Sequence, residues 1–306
     1  MAAVNPFVPI YKACNSGTPK DKIANLPEFP RLLDIELTNC CNFRCRMCPV
    51  GQNTMKRVRG FMSGETYSRI LAEANEHKTP LRFIRWGEPL IHPQCFHFAR
   101  AAKKLGLLVH INTNGLYVDD EAVADILRYI DSIKFSFQGV NKRQYFQWRK
   151  VDFFEELLGI VKTLYRRRGN GTRPFIQIGT TVTEDVSAEQ RQEFIERVKG
   201  FCDKVEIGRT RDLTRDTNIL PTCPEMFDKL SVNWDGTVTA CCSDYDNELL
   251  VGNIWESTLS NIWLFSPALQ YLRKTLAEGN KDDLPRICQR CSFTNCKGRT
   301  GKRKGS

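Results

Sequence analysis

The chain has 306 residues, 41% hydrophobic and 26% charged, a globular composition sized for one large domain or a large and a small one. No run approaches the ~18 consecutive apolar residues of a membrane span. No basic stretch followed by an apolar core marks a secretory signal, so a cytoplasmic protein with no membrane partner is expected. The net charge of +10 suits an acidic electron donor, an anionic substrate or nucleic acid, and charge alone does not choose among them. Thirteen cysteines without a secretory signal read as metal ligands in a reducing compartment.

Residues 1–31 hold five prolines and no sustained periodicity, and predict an extended N-terminal arm. Leu32-Leu33-Asp34-Ile35-Glu36-Leu37 predicts a first strand, followed directly by Cys41-Asn-Phe-Arg-Cys45-Arg-Met47-Cys48. Three thiols at spacings of four and three fall one short of a closed zinc site and of the usual four thiolates of an iron–sulfur cluster. One position is thus left open. A zinc knuckle, buried structural thiols, or Cys40 as a fourth ligand are the plainer readings of the same stretch.

Residues 51–62 are polar and basic, a loop long enough to cover such a centre. A helix is expected from about Ser63, with Tyr67, Ile70, Leu71 and Ala74 on one face. A strand over residues 81–86 ends in Trp86-Gly87-Glu88-Pro89, and a helix near Pro93 leads to a strand over 107–111 ending in Asn112-Thr113-Asn114-Gly115. Asp119 can cap a helix with Val123, Ile126, Leu127 and Ile130 on its apolar side. A strand over 132–137 ends in Ser136-Phe137-Gln138-Gly139, and Phe154, Leu157, Leu158, Val161 and Leu164 mark the next helix. A strand over 174–182, a helix opened by the Ser187/Gln190 capping box and a strand over 204–207 complete the series. Six strands alternating with helices imply a parallel sheet with right-handed crossovers. His92, His97 and His110 show no ligand pairing and are expected in packing or surface roles.

From about residue 212 the character changes. Residues 230–234 alternate, Asp235-Gly236 predicts a two-residue hairpin turn, and Val238 and Ala240 alternate back, which brings Cys223 near Cys241. Two helices carrying Leu259, Ile262 and Trp263, then Leu269, Leu272 and Leu276, end at Gly279, before Cys288-Gln-Arg-Cys291 and Cys296. Four cysteines so arranged suit a zinc ribbon or an iron–sulfur cluster. The Gly-, Lys- and Arg-rich residues 298–306 read as a disordered basic tail.

The Cys41/Cys45/Cys48 spacing after a first strand, Gly87-Glu88-Pro89 after the second, and the later motifs resemble the radical S-adenosylmethionine (SAM) superfamily. Residues 212–297 resemble its SPASM/twitch extension, with Cys223, Gly236, Cys241, Cys288 and Cys291 matching. The resemblance spans roughly residues 32–296. It implies a partial (β/α)6 barrel over 32–211, an α/β fold with motifs at the strand C-termini, followed by a small hairpin-and-helix domain. It implies SAM and two [4Fe–4S] clusters, one on Cys41, Cys45 and Cys48 with an iron open to SAM, the other on Cys223, Cys241, Cys288 and Cys291. Met47 stands where an aromatic residue is usual and can pack on the adenine; Gly87, Glu88 and Pro89 meet the SAM ammonium, with Trp86 in place of the family's first glycine. Ser136 falls where relatives meet the ribose, and Asn112, Asn114 and Gln138 can line the same mouth.

With only about thirty residues before the first strand, the family resemblance favours a small polar substrate, with sugars, aminocyclitols and aminoglycosides as precedents, over a peptide. A flavodoxin- or ferredoxin-type donor is implied. Two chemistries compete: epimerisation with Cys242 returning a hydrogen atom, and dehydrogenation with an electron passed to the auxiliary cluster. Peptide maturation and a zinc-stabilised RNA-binding module stand as further readings. Arg209, Arg211 and Tyr245 are candidate polar groups between the two parts.

Overall fold

The computed structural model describes residues 3–210, 223–289 and 291. Two short helices, α1 (Val8–Cys14) and α2 (Pro19–Ala24), stand where an extended arm was expected. The reason is local: Thr18 and Asp21 form a reciprocal capping box and Pro19 presets the first turn. β1 (Leu32–Ile35), α3 (Gly64–Glu76), β2 (Leu81–Phe83), α4 (Cys95–Lys104), β3 (Val109–Thr113), α5 (Asp120–Tyr129) and β4 (Ser132–Ser136) follow. Then come α6 (Lys142–Arg149), α7 (Phe154–Arg168), β5 (Phe175–Val182), α8 (Ala188–Val198) and β6 (Lys204–Arg209). α6 is an addition to the expected elements; Asn141 caps it and the Gln144 side chain reaches back to the Val140 amide.

β1 to β6 pair side by side in chain order, all parallel, as the partial barrel requires. Alternation divides each strand into two faces. Leu33, Ile35, Phe83, Ile111, Ile133, Phe135, Ile176 and Ile178 are fully buried toward the helices. The opposite face is polar. Arg82 holds Asp34 through two 2.7 Å bonds, Lys134 meets Glu206 at 2.6 Å, and His110 lies between Ser132 (3.0 Å) and Asn112 (2.8 Å). Burial first, then Arg82, pushes the His110 pKa down to about 3, so its ring is neutral. α1 closes the barrel end where β2 and β3 begin: Phe7 packs edge-on to His110 (5.6 Å) and Tyr11 lies under the Arg82 guanidinium (5.7 Å).

After α9 (Glu225–Asp228), β7 (Lys229–Val232) adds to the same sheet, parallel to β1, and β8 (Thr237–Thr239) and β9 (Leu250–Asn253) continue it antiparallel. The hairpin turn has three residues, not the two expected. Asn233 N–H donates to Thr237 (2.9 Å) and Gly236 N–H to Asn233 (3.0 Å), with Gly236 in the left-handed region (φ +89°). α10 (Leu259–Phe265), α11 (Pro267–Glu278, ended by left-handed Gly279) and α12 (Arg286–Gln289) complete the described chain. The junction at 211/212, Arg211, Cys296 and the tail 298–306 lie outside the described residues. Among those described, no helix is long and apolar enough to cross a membrane.

Phe7 has no exposed surface although it precedes β1 by 25 residues. Phe7→Ala is expected to lower unfolding free energy by about 3 kcal/mol, read from urea melts; a change under about 1 kcal/mol would mean that α1 is no part of the core.

Candidate active site

The three thiols lie on the loop leaving β1. Cys45 is buried, Cys41 and Cys48 half-buried, and Cys48 N–H closes a tight turn on the Cys45 carbonyl at 3.2 Å. Burial pushes the Cys41 pKa up to about 12, with Glu88, Cys45 and Cys48 adding to the rise, and Cys48 moves the same way. Thiols this close form a donor set that a bound cation stabilises as thiolates. Arg149 of α6 supplies a positive charge beside them: its Nη1 lies 3.5 Å from Cys45 Sγ, while Nη2 donates to the Ser136 (2.7 Å) and Phe137 (3.2 Å) carbonyls at the end of β4.

Gly87-Glu88-Pro89 is locked to the same loop. Glu88 N–H donates to the Cys40 carbonyl at 2.9 Å. A Cβ on Gly87 would fall 2.0 Å from the Thr38 oxygen, so the close approach requires glycine. The buried Glu88 carboxylate accepts from Thr113 Oγ1 (2.8 Å), Asn114 N–H (2.7 Å) and Leu90 N–H (3.2 Å). Four acceptor sites minus three leaves one for a ligand. Burial outweighs these bonds and raises the Glu88 pKa to about 7. Pro89 starts a short 3-10 turn, and Met47 packs half-buried at the edge of the core.

Asn114 clamps the thiol loop, its Nδ2 donating to Asn42 Oδ1 at 2.7 Å. Gln138 is tied to β5 and the end of β6, with Nε2 donating to Thr210 Oγ1 (2.6 Å) and Oε1 accepting from Thr181 Oγ1 (2.7 Å). Ser136 is half-buried at the end of β4. The strand-end residues therefore gather at one mouth, but the amides of Asn114 and Gln138 are engaged with protein. Arg209 pairs with Glu184 on the surface at 2.8 Å, and Tyr245 sets its ring edge-on to Trp86.

The second thiol group forms beside β7. Burial raises the Cys223 pKa to about 12, with Glu225 and Cys288 contributing; against the lowering bond from Cys242, burial, Glu225 and Cys223 raise Cys241, and burial with Cys291 lifts Cys288 to about 12. Cys223, Cys241, Cys288 and Cys291 are thus near enough to influence one another in turn, and four thiols are the usual complement of a fully thiolate-bound cluster. Cys242 turns away. Its Sγ lies within 4.8 Å of carboxylate oxygens of Asp34 and Glu225 inside the barrel, and its N–H donates to Glu225 Oε2 at 3.2 Å. The Cys241 thiol first, then burial and Glu225, hold the Cys242 pKa well above its ordinary value, so it remains an S–H.

A family model described as the radical SAM superfamily matches residues 35–198, and one described as an iron–sulfur cluster-binding domain, SPASM, matches 223–292. The chain belongs to the radical SAM superfamily. It is a radical SAM enzyme, with a [4Fe–4S] cluster and SAM in the barrel and further iron–sulfur ligation in the SPASM part. Among curated proteins it is 27% identical over 218 residues to the tungsten-containing aldehyde ferredoxin oxidoreductase cofactor-modifying protein of Pyrococcus furiosus, covering 68% of this chain and 56% of that one. It is 29% identical over 157 residues to the AdoMet-dependent heme synthase of Methanosarcina barkeri, covering 51% and 43%. The chain thus spans about half the length of these relatives. Streptococcus suis SuiB bound to precursor peptide SuiA shares the fold with a TM-score of 0.68 at 16% identity over 83% of this chain and 69% of that one. BtrN in complex with AdoMet and 2-DOIA does so at 0.59 and 16% over 84% and 90%.

Sequence reasoning missed Arg149, Glu36, Arg57 and Arg85. Arg57 Nη2 holds both Glu36 oxygens at 2.6 Å and Arg85 Nε lies 3.8 Å from the same carboxylate. Both arginines then bond auxiliary-segment carbonyls, Arg57 that of Tyr245 (3.0 Å), Arg85 those of Cys241 (3.1 Å) and Asp244 (2.7 Å).

Because the folded Glu88 pKa lies near 7 and the unfolded value near 4.5, the folded chain binds more protons across that window, and its stability falls as pH rises through it. Without SAM, wild type should lose on the order of 3 kcal/mol relative to Glu88→Gln between the two limits. Urea melts across pH measure it, and a pH-independent difference would remove the burial argument.

Proposed function

We propose that this chain removes a hydrogen atom from a carbinol carbon of a small polar, sugar- or aminoglycoside-like substrate and returns one to the opposite face from Cys242, an epimerisation. The observation that carries this reading is the position of the Cys242 thiol, held as S–H against Asp34 inside a barrel whose wall is polar. Hydroxyls both donate and accept, so a polyhydroxylated substrate suits a wall of fixed carboxylates, guanidiniums and the neutral His110. Cys41, Cys45 and Cys48 would hold the SAM-binding cluster, Glu88 one ammonium hydrogen bond of SAM, and Cys223, Cys241, Cys288 and Cys291 the auxiliary cluster. When bound, the barrel cluster and SAM supply the radical that takes the substrate hydrogen.

Cys242 Sγ gives up its hydrogen atom to the substrate carbon, and regenerating the thiol takes one electron and one proton. In the runner-up reading the substrate radical instead loses a proton and an electron to become a ketone. A peptide substrate is the third reading, supported by the fold likeness to SuiB, which was solved bound to its precursor peptide. A reducing compartment agrees with the twelve described cysteines, all free thiols.

Anaerobically prepared protein should contain iron and sulfide for two four-iron clusters, and SAM should change the EPR signal of one. Zinc instead, or a spectrum indifferent to SAM, would sink the enzyme reading. With a substrate in hand, epimer formed in deuterium oxide should carry solvent deuterium at the inverted carbon, and Cys242→Ser should still cleave SAM while forming no epimer. A ketone product would reject epimerisation.

A further inference from the structure

Arg57, Arg82, Arg85 and Arg168 bury their guanidiniums beside carboxylates. Arg273 of α11 is buried as well, yet no carboxylate pairs with it among the described residues. Its Nε donates to the Met226 carbonyl and its Nη1 to the Trp263 carbonyl, each at 2.7 Å. The guanidinium lies over the Trp263 ring at 4.0 Å, and Nη2 is buried without a partner. Burial, unopposed by any acid, pulls the Arg273 pKa down to about 10, so the group stays charged near neutral pH. Carbonyl dipoles and an indole face offset such a charge only in part. Buried charges are as a rule paired, so a negative group is due in its surroundings.

The second thiol group lies one residue away. Arg273 holds the Met226 carbonyl, and the N–H groups of Met226 and Glu225 donate to the Cys223 thiol. Met226 thus stands between guanidinium and sulfur. Glu225, beside the same thiol, is already matched by Lys229 at 2.6 Å. While Cys223 and Cys288 keep their protons, Arg273 has no counter-charge. Binding of a cluster turns the thiols into thiolates, and four of them outweigh the positive charge of the iron–sulfide core. Net charge and surrounding groups then set the potential of such a centre.

We propose that Arg273 is the fixed counter-charge of the auxiliary cluster and raises its reduction potential, acting from behind Met226 without ligating iron. The proposal rests on the reading of Cys223, Cys241, Cys288 and Cys291 as that cluster's ligands. Reduction takes one electron from an external reductant and makes or breaks no bond, so what Arg273 senses is one added unit of negative charge. A fixed cation that close, in the protein interior, shifts a one-electron equilibrium about tenfold. If Arg273 served only to tie two carbonyls together, its charge would leave the potential unmoved.

The test is an EPR-monitored redox titration of the iron-loaded enzyme with titanium(III) citrate. The barrel cluster, marked by its response to SAM, is the internal reference. Arg273→Met, similar in length and uncharged, should make the auxiliary cluster about tenfold harder to reduce, a shift of about 59 mV to lower potential. The barrel cluster should stay within about twofold. Arg273→Lys keeps the charge and loses the planar fork, and should keep most of the wild-type potential. Ala277→Glu leaves Arg273 in place and offers it a carboxylate one turn along α11. It should lower the auxiliary potential in the same direction by about threefold, and it carries the test if Arg273→Met does not fold. An unmoved potential in the uncharged or the Ala277→Glu variant, an equal loss in Arg273→Lys, or an equal shift of both clusters would each overturn the assignment. Cys288→Ala separates the two ideas, since it should abolish the auxiliary signal. A wild type with one cluster, or two clusters surviving Cys288→Ala, overturns the ligand reading and the role of Arg273 with it. Two clusters, one of them lost in Cys288→Ala, with an unmoved potential in Arg273→Met overturn the role of Arg273 alone.

Discussion

Glu36 has no exposed surface, and two guanidiniums close on it. Carboxylate and arginines come from the end of β1, the loop after the thiols and the end of β2, and Arg57 Nε with both Arg85 Nη atoms holds the backbone on both sides of Cys242. Removing one partner from a buried ion pair typically costs about 3–5 kcal/mol, because the other charge is left uncompensated. Two parts of the chain that carry separate thiol groups are thereby held in one register. Arg85 bears a further sign of that constraint: its φ of +101° is rare for a residue with a side chain, and it lies two positions before Gly87.

The same logic explains the barrel interior. A closed eight-stranded barrel fills its centre with branched aliphatic side chains, whereas six strands leave room and an open side. Here Asp34, Arg82, Lys134 and Glu206 fill the wall as matched pairs, so no fixed charge stands unpaired among them. Beneath, α1 caps the barrel with Phe7 and Tyr11, and Asp228 of α9 binds Lys22 within α2 and Arg31 after it. The N-terminal segment is structural although its composition is that of a loop.

What was legible in the sequence was whatever depends on near neighbours. The six parallel strands, the Asp119 and Ser187 caps and the thiol spacings rest on local periodicity and local hydrogen bonds. The helices α1, α2 and α6 were missed because their apolar faces are short, yet Thr18/Asp21 and Asn141/Gln144 carried the spacing of a helix start. The Asp235-Gly236 signal placed the hairpin but not its length, which Asn233–Thr237 pairing decided. Glu36 with Arg57 and Arg85, and Arg149 with Cys45, left no trace in the sequence, since each contact depends on the folded path. Asn114 and Gln138 were legible as strand-end residues, but their bonding partners could be known only from neighbouring strands.

One pairing reaches beyond the finished molecule. The outer edge of β1 is covered by β7, with Leu32 opposite Lys229 and Ile35 opposite Val232. On the ribosome, roughly two hundred residues must be made before that edge finds its partner, and distant pairing forms late. Until then the nascent barrel carries a bare strand edge, an invitation to wrong partners. A chaperone or early closure of α1 on the barrel floor would matter most in that interval, and slower translation after residue 200 would lengthen it.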